Sequence, residues 1–193
     1  MAIEVAGKKP VGAKKVKIEN KSEIDLPKNT EENIQKIIEF LPVEHRRGIS
    51  RLVLTDFIDD PRVKNSGVEM KGDLPGLYHP KIQNKSAWME VSTGALLKPF
   101  GNWTERWMAK STFKSNLAGL LFSLIGQHYY MTMRHSVKKD NLEPKIKRYA
   151  EDNLRKWSNE QSANSWRGRL FKPLAPYMER WAKWLNKRAA QNK

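Results

Sequence analysis

Residues 115–135 read SNLAGLLFSLIGQHYYMTMRH, and the fold turns on them. Leu117, Leu120, Leu121, Leu124, Ile125 and Tyr129 cover much of a helix's circumference instead of one stripe. A helix apolar on most sides belongs inside a core. The pattern therefore predicts a buried helix over 115–135. Downstream, Asn141-Leu142-Glu143-Pro144 opens a second helix reaching about Trp157, because proline is tolerated in a first turn. The polar stretch 158–165 is predicted to interrupt the order. Upstream, Thr30-Glu31-Glu32-Asn33 sets a hydroxyl and acids at a helix start, and Ile34, Ile37, Ile38 and Leu41 follow at helical spacing. That helix should cover 30–41 and stop at Pro42.

Residues 51–55, 77–79 and 87–91 have strand character, separated by turn-rich segments at Asp59-Asp60-Pro61 and from Gly72 to Gly76. Lys15-Val16-Lys17-Ile18-Glu19 alternates charged and β-branched residues, the pattern of a short strand, inside a segment otherwise too polar to offset its chain entropy. The expected class is α+β, a small sheet packed on a buried helix, with basic terminal extensions. Residues 1–29 read as a basic arm, 30–157 as the folded domain, and 158–193 as a basic, Trp-rich, partly helical extension.

The 193-residue length suits one domain with a hydrophobic core. Cysteine is absent, which removes disulfides, thiolate metal sites and thiol nucleophiles. Any metal must then be held by carboxylates and the four histidines, His45, His79, His128 and His135. Mean hydropathy is −0.72, and no apolar run approaches the ~20 residues of a membrane span. The N-terminal lysines precede no apolar stretch, so no secretory signal is read and a cytoplasmic location is expected. A net charge of +15 and a pI near 10.0 favour polyanionic partners, nucleic acid first among them.

The order of helix, small sheet, buried helix and second helix with an early Glu resembles small bacterial zinc metallopeptidases of the zincin type. In that family a segment like Leu52-Val53-Leu54-Thr55-Asp56-Phe57, with Asp59-Asp60-Pro61-Arg62-Val63, precedes a strand like Leu77-Tyr78-His79-Pro80. The family's helix reads H-E-I-G-H-H followed by aromatics. A later E-x-x-A-x-x-Y-A supplies a third ligand, and the resemblance covers roughly 30–157. The chemistry needs two imidazoles one turn apart to grip zinc, and a Glu beside the first to activate the metal-bound water. The matching stretch here is Ser123-Leu124-Ile125-Gly126-Gln127-His128-Tyr129-Tyr130. Ser123 and Gln127 stand at the ligand positions and Leu124 at the base. Glu143 matches the third ligand, with Ile146 where Ala is usual. The resemblance thus implies a zincin-like scaffold without its metal ligands: a pseudoenzyme with no cofactor.

The remaining histidines do not rebuild a site. His128 and His135 share a helix face but lie ~10.5 Å apart along the axis, more than zinc–nitrogen bonds of ~2 Å readily span. His79 is left to approach from a strand. His128 reads as packed or capping, His135 as solvated, and Glu143 as a charge favouring its helix start. No G-x-S-x-G elbow or P-loop occurs. Asp56, Asp59 and Asp60 read first as a turn, ahead of a magnesium cluster.

Basic residues mixed with aromatics carry the functional expectation, since Lys and Arg neutralise phosphates while aromatic rings stack on exposed bases. Arg167, Arg169, Lys172, Arg180, Lys183, Lys187 and Arg188 are the candidate phosphate contacts, with Lys8, Lys9, Lys14 and Lys15 at the other end. Trp181 and Trp184 are candidate stacking residues that equally suit the anchor of an amphipathic helix. Trp103-Thr104-Glu105-Arg106-Trp107-Met108-Ala109-Lys110 carries the same ingredients more thinly. The expected role is non-catalytic binding of nucleic acid, RNA or a ribonucleoprotein ahead of duplex DNA because no recognition-helix motif is present. A protein-interaction or inhibitor module is the alternative, and a metal-dependent hydrolase with an unrecognised site a lesser one.

Overall fold

The computed structural model describes residues 15–59, 74–133 and 142–164. The chain divides into two compact units, Met1–Leu154 and Arg155–Lys193. The first unit is α+β, with a mixed four-stranded sheet and helices packed on it.

In chain order the described elements are β1 (Lys17–Asn20), α1 (Thr30–Phe40), α2 (Val43–Arg46), β2 (Ile49–Thr55), β3 (Gly76–His79), β4 (Ala87–Ser92), α3 (Thr93–Leu97), α4 (Trp103–Met133) and α5 (Leu142–Asn164). Strand order is β1-β2-β4-β3, with β1, β2 and β4 parallel and β3 antiparallel to β4. The charged alternating segment near Lys17 is therefore a real strand, pairing Lys17 with Arg51 and Glu19 with Val53. It adds a fourth strand to the three read as a sheet, so the fold takes in residues before Thr30.

Leu52 and Leu54 of β2, Tyr78 of β3, and Met89 and Val91 of β4 are buried, and so is Val53 between the two leucines, so this part of β2 is covered on both faces. Ile34, Ile37 and Ile38 of α1 are fully buried, as their spacing requires. Leu41 ends that helix, its N–H reaching the Ile38 carbonyl before Pro42. Each such aliphatic side chain contributes about 1.5–3 kcal/mol by leaving water.

Helix α4 is the core helix, in contact with α1, α2, α3 and β3. It starts at Trp103, twelve residues before position 115. Its buried residues show why: Ala109, Phe113, Leu117 and Leu121 continue one stripe at steps of four, ahead of Leu124 and Ile125. Trp103, Trp107 and Met108 interrupt that stripe in the sequence because they point to solvent, at 72%, 63% and 59% exposed. Helix α5 likewise runs on to Asn164, overturning the interruption expected over 158–165. That stretch lacks Gly and Pro up to Asn164, and Ser or Asn costs a helix only a fraction of a kcal/mol.

Within the first unit α5 approaches α4 at two glycines. A Cβ on Gly126 would stand 2.7 Å from Cδ1 of Tyr149, whereas one on Gly119 would sit 3.5 Å from Leu154. Gly126 is thus where the Tyr149 ring takes the space of a missing side chain. Among the described residues no helix is long and apolar enough to cross a membrane.

Candidate functional site

Of the positions that the resemblance singles out, Ser123 and Glu143 share one surface feature. They line an open groove of about 410 Å³ between α4 and the first half of α5, with Gly119, Ile146, Lys147, Ala150, Glu151 and Leu154. Leu124 and Gln127 are not part of this lining. Leu124 is 5% exposed, and Gln127 is half-buried. No group of three His, Asp or Glu that could hold a metal exists among the described residues. A hydroxyl and the two exposed carboxylates of Glu143 and Glu151, with Lys147 between them and no imidazole or thiolate, do not fit a zinc ion, which takes at least three nitrogen, thiolate or carboxylate donors.

His128 sits one residue past Gln127, 2% exposed, and both its ring nitrogens are engaged. Nε2 lies 2.9 Å from the Arg47 carbonyl oxygen and Nδ1 lies 2.8 Å from the Tyr78 hydroxyl. A carbonyl only accepts, so Nε2–H donates to it, and Nδ1 then accepts from the Tyr78 O–H. This fixes one neutral tautomer. Burial holds the His128 pKa below its ordinary value, opposed by the bond to Arg47, and pushes the Tyr78 phenol up to about 12.

Beside it, His45 of α2 places Nδ1 2.7 Å from the Tyr149 hydroxyl, and its ring packs 4.2 Å from that of Tyr129. Burial lowers the His45 pKa, a nearby Glu44 opposing it, and raises that of Tyr149. These contacts tie α2, α4 and α5 together.

His79 cannot join His128. Adjacent strand residues point to opposite faces, and Tyr78 turns to His128 while His79 stacks on Trp88 at 3.7 Å and 2°. Its Nε2 also lies 3.0 Å from Oε2 of Glu90, and the Arg51 guanidinium lies 5.0 Å from the Trp88 ring centroid. Asp56 accepts from Ser22 Oγ at 2.5 Å and from the Glu23 and Ile24 amides at 3.0 and 3.3 Å. These bonds, the Ser22 one first, lower its pKa. Its carboxylate thus organises a local turn. Asp60 lies outside the described residues.

Of the basic and aromatic candidates, Lys15 is exposed just before β1. Lys8, Lys9, Lys14, His135, Arg167, Arg169, Lys172, Arg180, Trp181, Lys183, Trp184, Lys187 and Arg188 lie outside the described residues.

The segment read as the thinner basic-aromatic surface gains a structure. At the start of α4, Trp103, Arg106, Trp107 and Lys110 form one side of a groove of about 480 Å³. Ile24, Asp25, Leu97 and Pro99 complete it. Phe100, next to Pro99 in the chain, is 88% exposed and stacks with Phe57, ring centroids 6.5 Å apart at 15°. Sequence reading missed Phe57, Phe100 and the apolar wall. The signal available was the pair of four-residue steps, Trp103 to Trp107 and Arg106 to Lys110, each of which puts two side chains on one helix face.

No protein-family model, curated protein or solved structure matches the chain.

Proposed function

We propose that this chain is a non-catalytic binding protein, on a scaffold resembling a metallopeptidase that lacks its metal ligands, and that it engages nucleic acid or a nucleoprotein. One observation carries the reading: two exposed indoles and two cations share a groove at the start of α4, on a chain of net charge +15. Cations neutralise phosphates and release their counterions, while indoles stack on any base. The basic clusters at Lys8, Lys9, Lys14 and Lys15 and at 167–188 extend the same chemistry to both ends of the chain. RNA, with its accessible loops and unpaired stretches, is favoured over duplex DNA.

Support for the scaffold comes from the shared groove of Ser123 and Glu143 and from the α+β order of elements. The burial of Leu124 where a general base would stand supports a role without hydrolysis. The apolar wall of Ile24, Leu97 and Pro99 favours a second reading, a docking site for a protein partner.

The test is to isolate the full chain from its host at low salt, treat half with nuclease, and identify what accompanies it. Nucleic acid released by nuclease supports the proposal. A protein retained after nuclease, with no nucleic acid in the untreated half, moves the assignment to the second reading. Zinc at one equivalent per chain, together with chelator-sensitive peptide cleavage, overturns both.

A further inference from the structure

We infer that the groove at the start of α4 binds unpaired bases of a single strand, with Trp103 and Trp107 as the stacking surfaces and Arg106 and Lys110 as the phosphate contacts. This rests on the nucleic-acid reading above and narrows it to a site and a strand form.

The spacing argues first. Trp103 and Trp107 are one helical turn apart, about 6 Å along the axis, whereas stacked bases of a strand in B-form DNA follow one another every ~3.4 Å. Neighbouring bases must separate to occupy both indoles. A duplex keeps its base faces stacked inside and offers only base edges and phosphates, so exposed aromatic faces find nothing to stack on along its side. A single strand offers every base face, and stacking on aromatics is tolerant of sequence.

Charge placement agrees. Arg106 and Lys110 repeat the same four-residue step beside the indoles, against one carboxylate, Asp25, among the described residues of the groove. A flexible strand can therefore set bases on one row and phosphates on the next. The indoles are 72% and 63% exposed, so they are available without any rearrangement and contribute little to the core.

The experiment uses the full chain with a labelled oligouridylate and an oligothymidylate of about 12 nucleotides, within the ~4–16 typical of such sites, and an RNA duplex of the same length. Affinity is read by anisotropy and stacking by quenching of indole emission. Tighter binding of the single strands than of the duplex is expected. Trp103→Ala with Trp107→Ala should weaken single-strand binding at least tenfold and leave duplex binding unchanged, with restoration by Trp→Phe at both positions. Arg106→Gln with Lys110→Gln should weaken single-strand binding and flatten its salt dependence. The two homopolymers compared with each other say whether RNA or DNA is the preferred source.

Unchanged oligouridylate affinity in the double Ala variant, or a duplex bound as tightly as the single strands, overturns this inference while leaving nucleic-acid binding in place. A groove made for a protein partner gives no quenching with either homopolymer, which overturns it too. Absence of binding to all three probes at low salt brings down the broader reading as well. Circular dichroism of each variant confirms that the fold is kept.

Discussion

Replacing Tyr78 by Phe removes one oxygen and leaves Nδ1 of His128 without its donor. Both residues are buried, at 4% and 2% exposed, so the orphaned acceptor has no water to turn to. A buried polar group left unsatisfied costs about 1–3 kcal/mol. For a unit of 154 residues each kcal/mol lowers the melting temperature by about 2–4 °C, and the loss should show in a thermal melt followed by far-ultraviolet circular dichroism. Burial of the same histidine, against the opposing bond to Arg47, sets the direction of the pH dependence. The folded pKa of His128 lies below the unfolded value of about 6.5, so the folded state resists a proton that the unfolded chain accepts. Stability is then full above about pH 6.5 and declines as pH falls from there toward the folded pKa, by at most ~1.4 kcal/mol per pH unit for one group. His45, also lowered by burial, adds in the same direction. Carboxylates such as Asp56, with lowered pKa, lose their contribution only below about pH 4, so melts between about pH 7 and pH 5 isolate the histidines. A Tyr78→Phe chain as stable as the original, or a melting temperature indifferent to pH across that window, refutes the neutral His128 bridge.

The two glycines of α4 should respond differently to alanine. Gly119→Ala meets Leu154 at an ordinary contact distance and should gain up to about 1 kcal/mol from helix propensity, measured by urea unfolding. Gly126→Ala drives its methyl into the Tyr149 ring, which His45 holds. An overpacking cost of about 1–3 kcal/mol then cancels or exceeds the propensity gain. Ser123→Ala with Glu143→Gln should leave stability within ~0.5 kcal/mol and leave the affinity for oligouridylate unchanged, since the groove between α4 and α5 has no part in the binding proposed.

What could be read in the sequence was what local pattern encodes. Thr30 followed by acids and isoleucines marks α1, the apolar run ending at Ile125 marks the core helix, and the apolar runs at 51–55 and 87–91 mark β2 and β4. The α+β class follows from their order. The first twelve residues of α4 escaped because Trp103, Trp107 and Met108 face solvent and mask the stripe through Ala109 and Phe113. Exposed aromatics look like core in a one-dimensional reading. His128 was legible as a packed residue, but its partners Tyr78 and Arg47 lie 50 and 81 positions away, and only the fold brings them together. The resemblance sets Ser123, Gln127 and Glu143 at ligand positions, and of these Ser123 and Glu143 line one groove while Gln127 does not. The groove at Trp103 was half visible: its two four-residue steps lie in the sequence and Leu97 ends the helix just before it, while Ile24 reaches it from a distant segment.

A salt titration of the full chain's affinity for single-stranded RNA tests the central claim most directly. If about six phosphates are contacted, log K should fall linearly with log salt at a slope of about −4. Affinity that stays level from low to high salt, or no measurable binding at the lowest salt, contradicts the account.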